Sequence, residues 1–173
     1  LFPDAEIIAH KDVAEPPAGG PKEFILAMSN MALPKPVRDF IGVAKEVDLR
    51  DVVVTKPNRL LADGESLELN LGGVPVLIRH VGPAHKSSDV IVYLPGQKVL
   101  FAGDLVFNGL TPHITSRYED AMRTYRYLES LDIDVVIPGH GDVTDKAHLV
   151  KTRKYFEMLY AIARNGQAAG IPA

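Results

Sequence analysis

The chain has 173 residues, of which 46% are hydrophobic and 24% are charged, a balance typical of one soluble globular domain. A net charge of -3 and a pI of about 6.1 do not suggest a general attraction to nucleic acid or to an acidic membrane surface. The absence of cysteine excludes disulfide scaffolds, thiolate metal sites and a cysteine nucleophile. No apolar run approaches the roughly 18 residues of a membrane span, no targeting segment is visible, and the compartment stays open.

The first part of the chain predicts short elements separated by prolines. In order, a strand, a helical turn, a loop and two helices are expected over Glu6–Ala9, Lys11–Glu15, 16–21, Glu23–Leu33 and Val37–Val47. In the second helix, Phe40, Ile41, Ala44 and Val47 have helical spacing, which indicates one apolar face.

From Val52 the hydrophobic period becomes that of strands. These are expected over Val52–Thr55, Arg59–Leu61, Ser66–Leu71, Val74–Val81, Asp89–Leu94 and Lys98–Ala102. Gly72-Gly73 is a hairpin signal, so the strands on either side of it should pair within one antiparallel meander. Val99 to Ala102 indicate a strand buried on both faces, with Asp104 just past its end.

The last part of the chain alternates helix, strand and helix. Ser116 and Glu119 form a capping-box pattern that predicts a helix to about Leu131. The side chains of this helix expected to face inward are Tyr118, Met122, Tyr125 and Leu128. A short buried strand is expected over Asp134–Ile137, then a helix over Thr144–Arg164 that Asn165-Gly166 would end. This order predicts a layered α/β (α+β) fold.

Three residues that can bind metal occupy equivalent positions in three strand–loop units. His85 lies in G-P-A-H, Asp104 follows V-L-F-A-G, and His140 lies in I-P-G-H-G. Loops at the ends of a rigid sheet commonly supply ligands, and a neighbouring glycine lets the backbone approach closely. Imidazole and carboxylate suit zinc and also iron or manganese. An isolated Gly-Asp, however, is more often a turn or cap.

From about His80 to Val143 the chain resembles the second half of the metallo-β-lactamase superfamily. The matching segments, in the family's order, are G-P-A-H-K-S-S-D-V-I-V-Y-L-P, K-V-L-F-A-G-D-L-V-F and D-V-V-I-P-G-H-G. The resemblance implies an αββα sandwich, whose members are mostly two-metal hydrolases. It implies that His85 binds the first metal, that Asp104 bridges both metals in catalysis, and that His140 binds the second. It also implies that His113, in the loop after Asp104, lines the substrate pocket.

The family's signature H-x-H-x-D-H is absent, because no two histidines of the chain are separated by one residue. The chain also begins at Leu1. We therefore expect residues 1–173 to be a single metallo-β-lactamase-like domain, a partial sandwich truncated at its N-terminus as a fragment, a cleaved form or a truncated gene product. Because the ligands of the signature are missing, weak or absent zinc occupancy is expected.

The resemblance implies a metal-dependent hydrolase in which metal-activated water attacks an ester, lactone, amide or thioester of a small molecule, impaired in this chain alone. The alternative is a catalytically inactive structural or binding domain that associates with itself or a partner, because half of a layered fold exposes apolar sheet surface. Neither interpretation involves nucleic acid or membrane. Of the other histidines, His80 is expected to pack or hydrogen-bond, and His10 and His148 to lie on the surface or on a helix.

Overall fold

The computed structural model describes residues 4–13, 15, 25–28, 35–46 and 55–171. The chain divides into two compact units, the first comprising Leu1–Ile8 and Val13–Arg59 and the second Ala9–Asp12 and Leu60–Ala173. The predicted loop at 16–21 lies outside the described residues, as do most of the predicted helix Glu23–Leu33 and most of the predicted strand Val52–Thr55.

The first unit contains helix α1, Lys35–Glu46, which confirms the second predicted helix. Ile41 is buried, but Phe40 is 67% exposed, so the expected apolar face is only partly buried within this unit.

Strand β1, Ile8–His10, precedes a single 3₁₀ turn at Lys11–Val13, as predicted. It forms a two-stranded sheet with β2, Arg59–Leu61.

A five-stranded sheet dominates the second unit and confirms the predicted meander. Its strands are β3 Ser66–Leu71, β4 Val74–His80, β5 Val90–Leu94, β6 Val99–Phe107 and β7 Val135–His140. They lie in this order, antiparallel from β3 to β6, with β7 parallel to β6. Gly72 and Gly73 both have positive φ, which the tight β3–β4 hairpin requires.

Strand β6 is longer than predicted, because it continues through Asp104 to Phe107. Its pairing with β7 shifts register on both sides of Gly103, whose φ is 53°. The strand continues through this bulge-like irregularity, so Asp104 lies inside β6. Phe101 is 41% exposed, so the prediction of burial on both faces is wrong at this residue.

Helix α2 comprises Tyr118–Ser130, and its predicted capping box is wrong. Arg117 occupies the N-cap and makes no side-chain cap, while the Ser116 hydroxyl donates to the carbonyl of Ala84, 3.0 Å away. Helix α3, Lys146–Ala168, begins after Asp145, whose carboxylate accepts from the His148 amide. It passes through Asn165 and Gly166, which therefore do not end it as predicted.

The core lies between one face of the sheet and these two helices. Leu100 and Val136 are completely buried on adjacent strands. The α2 side chains packed in the same cluster include Met122, Tyr125 and Leu128, and α3 contributes Leu149 and Phe156. Three of the four inward side chains predicted for α2 are therefore buried, and Tyr118 packs at the margin of the cluster.

The opposite face of the sheet carries an apolar row that crosses all five strands. Cross-strand pairing places one residue of each strand side by side across the sheet. In strand order these residues are Leu67, Ile78, Val92, Phe101 and Ile137. These side chains retain partial exposure, in contrast to the core side. The sheet is thus apolar on both faces. None of the helices in the described part of the chain has the length and apolarity needed to cross a bilayer.

Leu100→Ala tests this arrangement. Removing a completely buried side chain should lower the free energy of unfolding by about 2–5 kcal/mol, because it leaves a cavity in the core. Urea unfolding measures the change. Leu71→Ala is the matched control, since Leu71 is 60% exposed, and an equal loss for both variants would contradict the assigned core.

Candidate functional site

The loop between β4 and β5 presents His85 and is held by Asp89. The Asp89 carboxylate accepts from the backbone amides of Ala84, at 3.1 Å, and Lys86, at 3.1 and 3.0 Å. Burial raises the pKa of Asp89, and these amide hydrogen bonds act in the opposite direction. Thr115 donates its hydroxyl to the His85 carbonyl. The backbone of His85 is therefore fixed from both sides.

The His85 ring is buried between an acid and a second imidazole. Its Nδ1 lies 3.4 Å from Oδ2 of Asp104, and its Nε2 lies 2.9 Å from Nε2 of His113. Burial lowers the pKa of His85, which favours the neutral ring near pH 7. A neutral imidazole is the form that can bind metal, so the environment of His85 is compatible with the predicted ligand role.

The end of β7 brings His140 to the other oxygen of Asp104. Nε2 of His140 lies 3.4 Å from Oδ1. The approach requires glycine at 139, because a Cβ there would overlap Asp104 Oδ1 and lie 2.7 Å from the carbonyl carbon of Gly103. Gly141 is equally constrained, with φ of 88° and no room for a Cβ beside the carbonyl of Asn108.

The structure thus brings together His85, Asp104 and His140, the three residues singled out in the sequence. Two ligand atoms bound to one tetrahedral ion at about 2.0–2.1 Å lie roughly 3.4 Å apart. Both Asp104–histidine distances are 3.4 Å, and each involves a different carboxylate oxygen. The donor set therefore fits a carboxylate shared between two ions, with two of these side chains available to each.

Phe107, which sequence reasoning did not assign to the site, packs among its histidines. Its ring stacks on that of His140, with centroids 4.8 Å apart, and meets His85 edge-on at 6.1 Å. The His148 ring bonds the Phe107 carbonyl through Nε2 at 2.9 Å, so this predicted helix position also supports the site. The signal in the sequence was the apolar run continuing past Asp104.

A shallow cavity of about 380 Å³ adjoins Phe107. Its lining includes Leu110, Pro112 and Tyr155, which makes much of the wall apolar. His113, predicted to line a substrate pocket, lies in the same loop with its ring against His85, centroids 4.4 Å apart. The geometry places His113 beside the candidate ligands, and its role toward substrate stays a prediction.

A second group of histidine and aspartate side chains could also hold a metal ion. Atoms of His10, Asp63 and His80 lie within 4.8 Å of one another. The expectation of a surface position for His10 is wrong, because the residue is 1% exposed. His80 is hydrogen-bonded, as predicted, through both ring nitrogens.

Comparison with known proteins places this geometry in a family. A sequence model described as the metallo-beta-lactamase superfamily matches residues 6–140, which is most of the chain. The chain belongs to the metallo-β-lactamase superfamily. Membership confirms the resemblance drawn from the motifs, and the family is typically metal-dependent.

Two relatives carry different activities in their names. The chain is 32% identical over 79 residues to 2,4-dinitroanisole O-demethylase subunit alpha of Nocardioides sp. (strain JS1661), and 31% identical over 97 residues to human acyl-coenzyme A thioesterase MBLAC2. The matches cover 44% and 51% of this chain but only 24% and 33% of those proteins. The chain thus corresponds to a minor part of each relative's length.

Solved metallo-β-lactamase structures support the fold alone. TMB-1 superposes with a TM-score of 0.51 at 17% identity, covering 80% of this chain and 62% of that one. Metallo-beta-lactamase IND-7 gives 0.50 at 23% identity, covering 60% and 49%. The mixed α/β class with a mostly antiparallel sheet is confirmed by these likenesses.

Gly139→Ala tests the close approach on which the site depends. The added Cβ would displace Asp104 or the end of β7, and overpacking of this kind costs about 1–3 kcal/mol of unfolding free energy. Urea unfolding measures the loss. Gly96→Ala is the matched control, because a Cβ at Gly96 meets nothing within 4 Å. Equal stabilities for the two variants would contradict the contact.

Proposed function

We propose that the chain contributes to a metal-dependent hydrolase acting on an ester, lactone, amide or thioester of a small molecule. The observation that carries the proposal is the position of Asp104, whose two oxygens each face a different histidine at 3.4 Å. A carboxylate between two imidazoles suits a metal pair better than a cap or turn, because neither oxygen of Asp104 accepts a backbone amide in the hydrogen bonds of the described residues.

In this proposal His85, Asp104 and His140 hold the metal, and their nitrogen and oxygen donors suit zinc and also iron or manganese. A bound ion would supply Lewis acidity and activate water at neutral pH. The protein contributes positioning. His85 Nε2 faces His113, which fixes the ring so that Nδ1 points at Asp104, and Phe107 covers the inner side of His140.

The substrate class rests on the site and on one relative. The apolar cavity beside Phe107 suits an acyl group, and the relative named as an acyl-coenzyme A thioesterase supports keeping thioesters among the substrates. The relative named as an O-demethylase subunit shows that related chains serve other reactions. His113 is proposed to contact substrate because it lies on the loop that lines this cavity.

The number of ligands limits what the isolated chain can do. Asp104 and one histidine give each ion two protein ligands, whereas structural and catalytic zinc sites usually have three or four. We therefore expect weak zinc binding at Asp104 and little hydrolysis by the chain alone. Ligands supplied by an additional protein segment would complete the site.

Asp104→Asn is the direct test. Any zinc-dependent hydrolysis of a thioester or lactone probe by the chain should fall to the rate in buffer, because the substitution removes the shared charge. Circular dichroism should show unchanged folding, since the Asp104 side chain is 40% exposed. Asp134→Asn, at an exposed acid directly before β7, is the matched control.

One outcome would count against the proposed role of Asp104, and another against the expected weak zinc binding. Full activity in Asp104→Asn would remove this residue from the mechanism. A tight zinc site in the isolated chain that disappears in Asp104→Asn would contradict the expected weak occupancy, and calorimetric titration of both proteins would reveal it.

The alternative is an inactive binding domain, and the apolar row on the second sheet face favours it. In this case the row formed by Leu67, Ile78, Val92, Phe101 and Ile137 is covered by a second copy or another protein. Apolar area in contact is the main driving force of stable association. Neither proposed function involves nucleic acid or a membrane.

Phe101→Glu tests self-association. A charge in the middle of the row would be desolvated in a dimer, so the sedimentation coefficient at high protein concentration should fall to the monomer value. Leu110→Glu is the control, because Leu110 is also exposed but lies on the loop outside the sheet. An unsubstituted chain that sediments as a monomer at every concentration would refute self-association.

A further inference from the structure

Away from Asp104, three side chains from separate segments of the second unit meet around one point. His10 ends β1, Asp63 lies in the turn between β2 and β3, and His80 ends β4. One potential ligand atom from each lies within 4.8 Å of the others. Both histidines are almost completely buried, at 1% and 3% exposure, while the Asp63 side chain is 70% exposed.

The hydrogen bonds of His80 leave one nitrogen as an acceptor that faces this point. Its Nε2 lies 2.8 Å from the carbonyl of Ser87, which can only accept, so Nε2 carries the proton. Its Nδ1 accepts from the amide of Gly64 at 2.9 Å, directly beside Asp63. A backbone carbonyl that holds the far N–H of an imidazole is the usual support of a metal-binding histidine.

His10 has a comparable arrangement on the other side. Its Nε2 lies 3.0 Å from Oδ1 of Asp63. Its Nδ1 accepts a hydrogen bond from the amide of Asp12 at 3.3 Å, and Oδ2 of Asp12 lies 3.7 Å from the same nitrogen. Oδ2 of Asp63 is bonded to Lys11 at 2.6 Å, which leaves Oδ1 directed at His10.

We infer that His10 Nε2, Asp63 Oδ1 and His80 Nδ1 form a second site for a divalent transition metal of the zinc class, separate from Asp104. Two imidazoles and one carboxylate are a common three-ligand set for such ions, with the remaining positions open to water. A cavity of about 480 Å³ borders Asp63 and His80 and gives water and the ion access.

Metal binding requires limited rearrangement. The two rings stack with centroids 4.0 Å apart and planes at 18°, so they must splay to direct their in-plane lone pairs at one ion. The hydrogen bond from the amide of Gly64 to Nδ1 of His80 must also break so that this nitrogen can bind the ion. The hydrogen that His10 Nε2 shares with Asp63 must leave this nitrogen, and Nδ1, which lies 3.7 Å from the Asp12 carboxylate, is the position available to it.

The ion would join three segments that are distant in sequence. It would bind the end of β1, the turn at Asp63 and the end of β4, and so stabilise the folded state in proportion to its concentration over Kd. This inference does not rest on the proposed hydrolase, because it shares no ligand with Asp104, His85 or His140.

The test uses zinc alone, measured by competition with a chromogenic chelator and by imidazole ¹⁵N shifts of the full chain. In Asp104→Asn, about one zinc per chain should remain bound, with shifted ring nitrogens of His10 and His80. Adding Asp63→Asn should abolish that binding. Asp132→Asn is the matched control, because Asp132 is 73% exposed and pairs with Lys98 at 2.8 Å much as Asp63 pairs with Lys11.

Absence of zinc in Asp104→Asn, or retention of zinc in the double variant, would overturn the site. Ring nitrogens of His10 and His80 that do not respond to zinc in the unsubstituted chain would also overturn it. That measurement does not depend on a variant that folds. Loss of zinc only with Asp104→Asn would assign all binding to the other centre and would leave the proposed hydrolase intact.

Discussion

The candidate site depends on the close approach of β7 to Asp104. The approach is available because residue 139 has no Cβ and because Gly103 adopts a positive φ that shifts the register between β6 and β7. The same shift keeps Asp104 inside a strand, where its side chain lies between His85 and His140 while staying 40% exposed. Backbone geometry thus determines which oxygen meets which histidine.

The sheet that carries this site is apolar on both faces, and the two faces have different consequences. One packs on α2 and α3 and fixes the loops, since Thr124 of α2 bonds the carbonyl of Val81 and His148 of α3 bonds that of Phe107. The other retains a partly exposed apolar row. The helix-packed face holds the site rigidly, which is compatible with a hydrolase completed by additional protein. The apolar row left on the other face is compatible with a binding domain.

Sequence patterns predicted the meander, the hairpin at Gly72-Gly73 and the convergence of His85 and His140 on Asp104, because alternation, turn glycines and short motifs are local signals. They missed the true length of β6, since a register shift at Gly103 depends on β7, which is distant in sequence. The predicted capping box does not form because the Ser116 hydroxyl donates to the carbonyl of Ala84, a residue distant in sequence. His10 was misplaced because its burial depends on stacking with His80, a contact that no local pattern encodes.

The two histidine clusters contain the same residue types but differ in what limits metal binding. At Asp104 the rings already lie at ligand separation from the carboxylate, and burial keeps His85 neutral, but each position has few protein ligands. At Asp63 three potential ligands are present, but the two nitrogens facing the proposed ion, His10 Nε2 and His80 Nδ1, each have a protein partner that an ion must replace. Affinity at the first centre is therefore limited by missing ligands, and at the second by hydrogen bonds that must be exchanged.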